Sequence, residues 1–141
     1  MPVPFKPGSV DCLWIAGVLH HVPRDLENVV CRNVAPALRR GGVVLIDEPN
    51  AMNPLNHLNM KLSKADPTGD ERPLSMGMVE RLLEKGGCRI VRAREYELLS
   101  PFGALLKNGA AARACARLDR WLGGTFLRRF SFRWFILAQK T

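Results

Sequence analysis

Two adjacent histidines and a later acidic string are the residues of this sequence that could do chemistry. His20 and His21 follow one apolar run, and Glu48 and Asn50 follow a second run at Val43 to Ile46. Imidazole takes up and releases protons near neutral pH, which is what a general base must do. These residue types therefore suit proton transfer at a ligand site. A loop whose histidines are satisfied by backbone groups, with Glu48 as a cap or loop carboxylate, would explain the same residues.

The first apolar run must position the histidines. It opens with apolar, β-branched and aromatic residues, which predict a strand over Val10 to Ala16. An apolar run without strict alternation is typical of a strand buried on both faces of a parallel sheet. We therefore expect Trp14 and Cys12 to lie in the core. Polar side chains just past the carboxyl end of such a strand lie where α/β sheets bind ligands.

The rest of the chain alternates between predicted strands and helices. Asp25 is the predicted N-cap of a first helix, which Pro36 kinks and Gly41-Gly42 ends. The later predicted elements are, in order, a strand at Val43 to Ile46, a lid or binding loop at 51–73 with a short helix at Leu55 to Leu62, a helix capped by Ser75 and ended by Gly86-Gly87, a strand at Cys88 to Tyr96, helices from 98 to about 130 broken at Gly109 and Gly123-Gly124, and a last strand at Phe132 to Gln139. This order predicts a single α/β domain.

The charge of the chain is concentrated in its last third. The net charge of the 141 residues is +8, and from Leu98 onward eight basic residues accompany one acid, which gives this segment +7. No apolar run reaches the roughly 18 residues that would span a bilayer. The four scattered cysteines have no metal-binding spacing, so we predict no metal site and expect small buried thiols in a reducing cytoplasm.

The basic segment allows three interpretations. Arg113, Arg117 and Arg120 share one face of a predicted helix, which could be only the solvated side of an amphipathic helix. The aromatic residues among them, such as Trp121 and Phe126, also suit peripheral contact with an anionic membrane through 98–135. Nucleic acid is the third option and is disfavoured, because no known reader motif accompanies the charge.

Two strings carry a resemblance to a known family. Trp14 to Val22 (Trp-Ile-Ala-Gly-Val-Leu-His-His-Val) is followed about twenty residues later by Gly41 to Asn50 (Gly-Gly-Val-Val-Leu-Ile-Asp-Glu-Pro-Asn). Together with Pro73-Leu74-Ser75, these strings resemble the second half of class I, Rossmann-like S-adenosylmethionine (SAM)-dependent methyltransferases, most closely the type 11 branch. The resemblance implies one partial domain over 1–141, with a run-in at 1–9, two β-α units at 10–50 and a helix-strand-helix-strand part at 74–141. Its sheet would contain the family's strands 4-5-7-6, the last one antiparallel, with flanking helices.

The same resemblance assigns roles to the residues after the two strands. Ala16, Gly17 and Val18 would lie against the methionine and sulfonium end of SAM. His20 and His21 would face the methyl acceptor, with His21 the first choice for a base. The resemblance also implies that Glu48 belongs to the catalytic set and, with Asn50, orients the acceptor.

The resemblance leaves strands 1–3 of the family without a counterpart. The sequence has no Gly-x-Gly loop, so we expect weak or no binding of SAM by this chain alone, and whether it is itself an enzyme stays open. Met1 to Phe5 resembles the ordinary run-in to a fourth strand, which favours a fragment. The unpaired edge of Val10 to Ala16 should pair with a second copy or with a complementing N-terminal half.

Two functions are therefore expected. The first is methyl transfer from SAM to a small-molecule or lipid-like acceptor by the completed protein. The alternative is a non-catalytic interaction module that pairs through its open strand edge, in the cytoplasm or at the periphery of a membrane.

Overall fold

A computed structural model describes residues 5–24, 26–62 and 71–141. The strands and helices in chain order are β1 (Val10–Ala16), α1 (Glu27–Val34), β2 (Leu38–Pro49), α2 (Pro54–Leu62), α3 (Met76–Lys85), β3 (Cys88–Tyr96), α4 (Ser100–Leu105), α5 (Gly109–Leu122) and β4 (Arg133–Lys140). Short 3₁₀ turns lie at Leu19–His21, Ala35–Ala37 and Phe126–Phe130. The predicted N-cap Asp25 and the Cys31 side chain lie outside the described residues.

The four strands form one mixed sheet in the order β1-β2-β4-β3. β1 and β2 are parallel, whereas β4 runs antiparallel to both of its neighbours. This is the predicted 4-5-7-6 order with an antiparallel last strand, so the partial Rossmann-like methyltransferase sheet is confirmed. β1 lies at one edge of the sheet and β3 at the other, which leaves one side of β1 without a partner among the described strands.

The hydrophobic core lies on one face of this sheet. Ile46 of β2 and Trp134 and Ile136 of β4 pack there against Val79 and Leu83 of α3. Ser75 caps α3 by accepting a hydrogen bond from the Met78 N–H, and the helix ends at Gly86-Gly87, as predicted. Cross-strand packing and the buried stripe of α3 thus hold the strands whose carboxyl ends carry the site.

The opposite face of the sheet is open, and two predictions fail there. Trp14 is paired in register with Leu45, which is paired with Leu137, so these three side chains share that face. Trp14 is 68% exposed, and Cys12 is exposed as well. The prediction that both are buried was wrong, because α1 and α3 pack on the other face. β1 is an alternating edge strand rather than a strand buried on both sides.

The first helix also ends earlier than predicted. Pro36 has no N–H to donate, and the α-helix gives way at Val34 to the 3₁₀ turn that contains it. Gly41-Gly42 lies inside β2 rather than at a helix end. Gly41 has φ +76°, and the pairing of β1 with β2 shifts register between Val10 and Cys12, so the glycines form an irregularity in the strand.

The remaining elements agree closely with the predictions. β3 has the predicted bounds and lies at a sheet edge, and its first residue, Cys88, is buried. Burial raises the pKa of the Cys88 thiol. The predicted helical segment divides into α4 and α5, and Asn108 caps α5 by accepting from the Ala110 N–H. In the described part of the chain, no helix combines the length and apolar character needed to cross a bilayer.

Candidate functional site

The site forms where β1 and β2 end side by side. The Gly17 N–H donates to the Asp47 carbonyl at 2.9 Å and thereby extends the ladder by one residue. Gly17 then adopts φ +62°, a conformation that favours glycine. The chain turns there into the 3₁₀ turn Leu19–His21, which brings the histidines back over the end of β2.

Glu48 holds this turn in place from β2. Its side chain is fully buried, and its Oε1 accepts from the Val18 N–H and the Leu19 N–H, both at 2.8 Å. Its Oε2 lies 2.6 Å from His20 Nδ1. Three donors around one buried carboxylate offset the cost of removing it from water.

The same contact fixes how His20 can act. With a carboxylate as partner, Nδ1 carries the proton and donates, which leaves Nε2 as the nitrogen that can accept one. The His20 ring is mostly buried. A histidine whose second nitrogen is held by a buried acid is oriented as general bases are in hydrolases.

His21 occupies a more open position. Its Nδ1 lies 2.7 Å from the Glu71 carboxylate, and its side chain is 52% exposed. The two histidine rings are neighbours, with centroids 4.0 Å apart. Sequence reasoning missed Glu71, since nothing in the pattern of residues 51–73 singles out this acid from the others.

A polar cavity of about 290 Å³ lies next to His20. Glu71, Glu97, Arg133 and Asn56 contribute to its lining, together with His20 itself. The structure thus brings Gly17, Val18, His20 and Glu48 together, with His21 next to His20. The cavity has acids and bases on its wall, which is what an acceptor with a polar reacting group requires.

The Asn50 side chain forms its hydrogen bonds within the protein. Its amide donates to the carbonyls of Arg129 and Ser131, both at 2.9 Å, and its Oδ1 accepts from the Met52 N–H. Asn53 donates in the same way to the Phe130 carbonyl at 2.7 Å. Both the amide nitrogen and the Oδ1 oxygen of the Asn50 side chain are therefore engaged by backbone groups of the protein.

Asn56 completes this arrangement, which we call the asparagine bracket (Asn50, Asn53 and Asn56). Its amide donates to the Asn50 carbonyl at 2.9 Å and to the Phe132 carbonyl at 2.7 Å. The three buried side chains tie the start of α2 to the segment that enters β4. Their spacing of three residues is the sequence signal that could have indicated this arrangement.

A second cluster shares Arg133 with the wall of the cavity. Asp47 Oδ1 accepts from the Tyr96 hydroxyl at 2.7 Å and from Arg133 Nε at 2.9 Å. Burial, and then the hydrogen bond and charge of Asp47, raise the pKa of Tyr96 to about 12. Burial alone would lower the pKa of Arg133, but the hydrogen bond and charge of Asp47 outweigh it and raise that pKa.

The residues predicted to contact SAM lie at the end of β1 and in the turn that follows it. Ala16 and Val18 are exposed, and Gly17 donates toward β2. Because hydrogen-bonding groups alternate along a strand, the backbone groups of Ala16 point to the open edge. The described residues therefore offer one small, accessible wall of such a site, without a glycine-rich loop.

Comparison with known proteins bears on the fold. No family model matches the chain, and no curated protein matches it. A SAM-dependent methyltransferase from Archaeoglobus fulgidus superposes with a TM-score of 0.66 at 15% identity, covering 96% of this chain and 62% of its own. The chain has the fold of SAM-dependent methyltransferases.

Two further solved structures support this assignment of the methyltransferase fold. A SAM-dependent methyltransferase from Mesorhizobium loti gives a TM-score of 0.60 at 16% identity, over 96% of this chain and 64% of that one. The cyclopropane synthase MmaA2 from Mycobacterium tuberculosis gives 0.59 at 17%, over 96% and 56%. The chain thus spans less than two thirds of each relative, in agreement with a sheet that has only strands 4-5-7-6.

Proposed function

We propose that the chain supplies the acceptor side of a SAM-dependent methyltransferase that acts on a small-molecule or lipid-like acceptor. The observation that carries this proposal is the His20–Glu48 pair, which lies at the carboxyl end of β1 and borders a polar cavity. In a methyltransferase fold this is the place where donor and acceptor must meet. Whether the completing strands belong to the same polypeptide or to another chain, the methyl acceptor would enter on this side.

Each residue of the site has a defined part in the proposed reaction. SAM supplies an electrophilic methyl group when it is bound, and Ala16, Gly17 and Val18 would lie against its methionine end. When the nucleophilic atom of the acceptor attacks the methyl group, the proton on that atom passes to His20 Nε2. Glu48 is a positioning residue, because it is fully buried and acts through His20 Nδ1. The Glu48 carboxylate also stabilises the imidazolium that forms.

His21 is the second candidate for the base. Its ring is held by Glu71 in a similar way, but its half-exposed position gives water more access to it. Asn50 contributes by holding the segment 129–132 rather than by contact with the acceptor, since its amide is engaged by backbone carbonyls.

Titration calorimetry with S-adenosylhomocysteine tests the proposal. The 141-residue chain alone should bind it weakly or not at all, because the glycine-rich loop is absent from its sequence. The polypeptide extended by the genomic sequence upstream of Met1, or the chain mixed with a separate N-terminal half, should bind with micromolar affinity. If neither completed form binds the ligand, the methyltransferase proposal is wrong.

The alternative function, a non-catalytic interaction module, has an observation of its own. β1 pairs on one side only, and Trp14 is exposed beside that open edge. Such an edge can accept a strand from a second copy or from a complementing half. A chain that forms stable dimers but binds no S-adenosylhomocysteine in any completed form would favour this module. With either function, the protein would act in a reducing cytoplasm, where Cys12, Cys88 and Cys115 would stay unpaired, as they are in the structure.

A further inference from the structure

We propose that residues 100–130, which contain α4, α5 and the 3₁₀ turn Phe126–Phe130 and are called the hairpin surface, bind an anionic lipid bilayer. The membrane contact expected for 98–135 is thereby assigned to particular side chains. The hairpin surface is unusual because its helix α5 has no buried residue along its whole length. The evidence consists of its exposed apolar side chains, its charge and its position in the fold.

Large apolar side chains project from every part of the hairpin surface. Leu105 and Leu106 at the end of α4 are 77% and 67% exposed, Trp121 at the end of α5 is 73% exposed, and Phe126 is 72% exposed. Single exposed apolar residues are ordinary, but several on one small substructure mark a contact surface. Tryptophan and phenylalanine are also side chains that settle at the boundary between lipid headgroups and chains.

The charge of the hairpin surface is almost entirely positive. Its six basic residues are all exposed: Lys107, Arg113, Arg117, Arg120, Arg128 and Arg129. Its one acid, Asp119, is turned inward and accepts from the Leu99 N–H at 2.6 Å and the Ser100 N–H at 3.0 Å. Glu95 of β3 lies 3.7 Å from Arg128, and among the residues that the structure describes no carboxylate forms an ion pair with the other five cations.

The apolar and basic side chains of α5 lie next to each other. At 3.6 residues per turn, Arg113, Arg117 and Arg120 fall within about 60° of one another, and Trp121 lies about 40° from Arg117. An interfacial helix has this arrangement, with apolar side chains entering the bilayer and arginines meeting the phosphates beside them. Nucleic acid would use the arginines but would leave Leu105 and Leu106 without a contact.

The hairpin surface is preformed and lies away from the missing strands. A Cβ on Gly103 would lie 2.9 Å from the Ala112 Cα, so α4 and α5 are in close contact. The two helices connect β3 with β4, whereas additional strands would join the sheet at the opposite edge, next to β1. Completion of the sheet therefore leaves this surface exposed.

A groove on the hairpin surface adjoins the cavity next to His20. It has a volume of about 670 Å³ and is walled by Leu55 of α2 and by Phe102 and Leu105 of α4. It shares Asn59, Pro101 and Phe132 with the polar cavity. If the proposed function holds, an acceptor with a polar head and an apolar chain can pass from the bilayer along this groove to His20.

Vesicle flotation of the 141-residue chain tests the proposal directly. The chain should float with vesicles of phosphatidylcholine and phosphatidylglycerol at 70:30 and remain unbound with phosphatidylcholine alone. Replacing Arg113, Arg117 and Arg120 by Ser should lower partitioning roughly a hundredfold, at about fivefold for each arginine near an anionic surface. The matched control replaces three exposed arginines elsewhere, Arg32, Arg81 and Arg89, and should leave partitioning unchanged.

Tryptophan emission tests whether the surface enters the bilayer. In a Trp14→Phe background, Trp121 is the exposed tryptophan and Trp134 is buried. Anionic vesicles should shift the emission to shorter wavelength, brominated lipids should quench it, and Trp121→Phe should abolish both effects. Equal loss in both triple-arginine variants, or binding of the chain to duplex DNA but not to vesicles, would refute the proposal. Failure of the membrane proposal would not change the result of the S-adenosylhomocysteine titration. The two proposals can therefore be refuted independently of each other.

Discussion

His20 Nδ1 and Glu48 Oε2 lie 2.6 Å apart, although 28 residues separate them in the sequence. The parallel ladder places them together, because Ala16, the last residue of β1, pairs with Asp47, which directly precedes Glu48. The turn that follows β1 then directs His20 back toward Glu48. One carboxylate thus serves both the local fold and the orientation of the imidazole.

Glu48 should be essential for stability. Glu48→Ala leaves the Val18 and Leu19 amides and His20 without a buried partner, and we expect the free energy of unfolding to fall by about 3 to 5 kcal/mol. Glu48→Gln, which keeps an acceptor oxygen, should lower it by about 2 kcal/mol. Urea unfolding followed by circular dichroism measures both. Glu84→Gln, at an exposed position of α3, is the control and should change little. Equal effects at positions 48 and 84 would contradict the conclusion that Glu48 holds the turn after β1 in place.

The choice between the two histidines can be made by kinetics. In the completed enzyme, with tritiated methyl transfer from SAM to a lipid or metabolite extract, His20→Gln should lower kcat roughly 10²- to 10⁴-fold, as loss of a general base does. His21→Gln should have a much smaller effect, because its side chain is half exposed and is held by Glu71 rather than by the fully buried Glu48. A larger loss for His21→Gln would restore it as the base. Binding of S-adenosylhomocysteine by both variants serves as the control.

The strand order could be predicted from the family resemblance, and the edge position of β3 and the cap of α3 could be predicted from local sequence signals. The His20–Glu48 contact could not, since it depends on how far each strand extends before its turn. The exposure of Trp14 was also missed. An apolar run shows that a strand is able to be covered on both faces, but it does not show that the covering elements belong to the same chain. The prediction that Gly41-Gly42 ends the first helix failed for a related reason, because a glycine pair is compatible with both a helix end and an irregularity in a strand.

Tyr96 provides a pH test of the cluster around Asp47. Its pKa in the folded chain is about 12 against the ordinary value of 10, so the folded state keeps a proton that the unfolded chain releases. The stabilisation from this phenol is complete below about pH 10 and is lost as the pH rises to about 12. Tyr96 is the only tyrosine, so absorbance at 295 nm follows it alone. Asp47→Asn should lower the pKa but leave it above 10, because burial is the largest cause. A midpoint near 10 in the folded protein would disprove the contact.

The asparagine bracket should matter more than the exposed face of the same helix. Asn56→Ala removes the two buried side-chain hydrogen bonds to the carbonyls of Asn50 and Phe132, each of which then keeps only its backbone N–H donor. The loss of these two bonds should cost about 2 kcal/mol of unfolding free energy. Asn59 is exposed on α2, and Asn59→Ala should change stability by less than about 0.5 kcal/mol. Urea unfolding of the two variants side by side measures the difference. Similar values for both would show that the bracket contributes no net stability.

Cys12 reports whether the open side of the sheet becomes covered. In a background with Cys31 and Cys115 replaced by Ser, the exposed Cys12 should react with Ellman's reagent at once. Cys88 should react slowly, because it is buried and its pKa is raised. A partner that pairs with the edge of β1 should slow Cys12 and leave Cys88 unchanged, so the ratio of the two rates measures coverage. Trp14→Lys places a charge on that surface and should keep Cys12 reactive at all protein concentrations. If the chain forms dimers while Cys12 reacts at the monomer's rate, pairing occurs elsewhere, and the edge of β1 is not the site at which this sheet is completed.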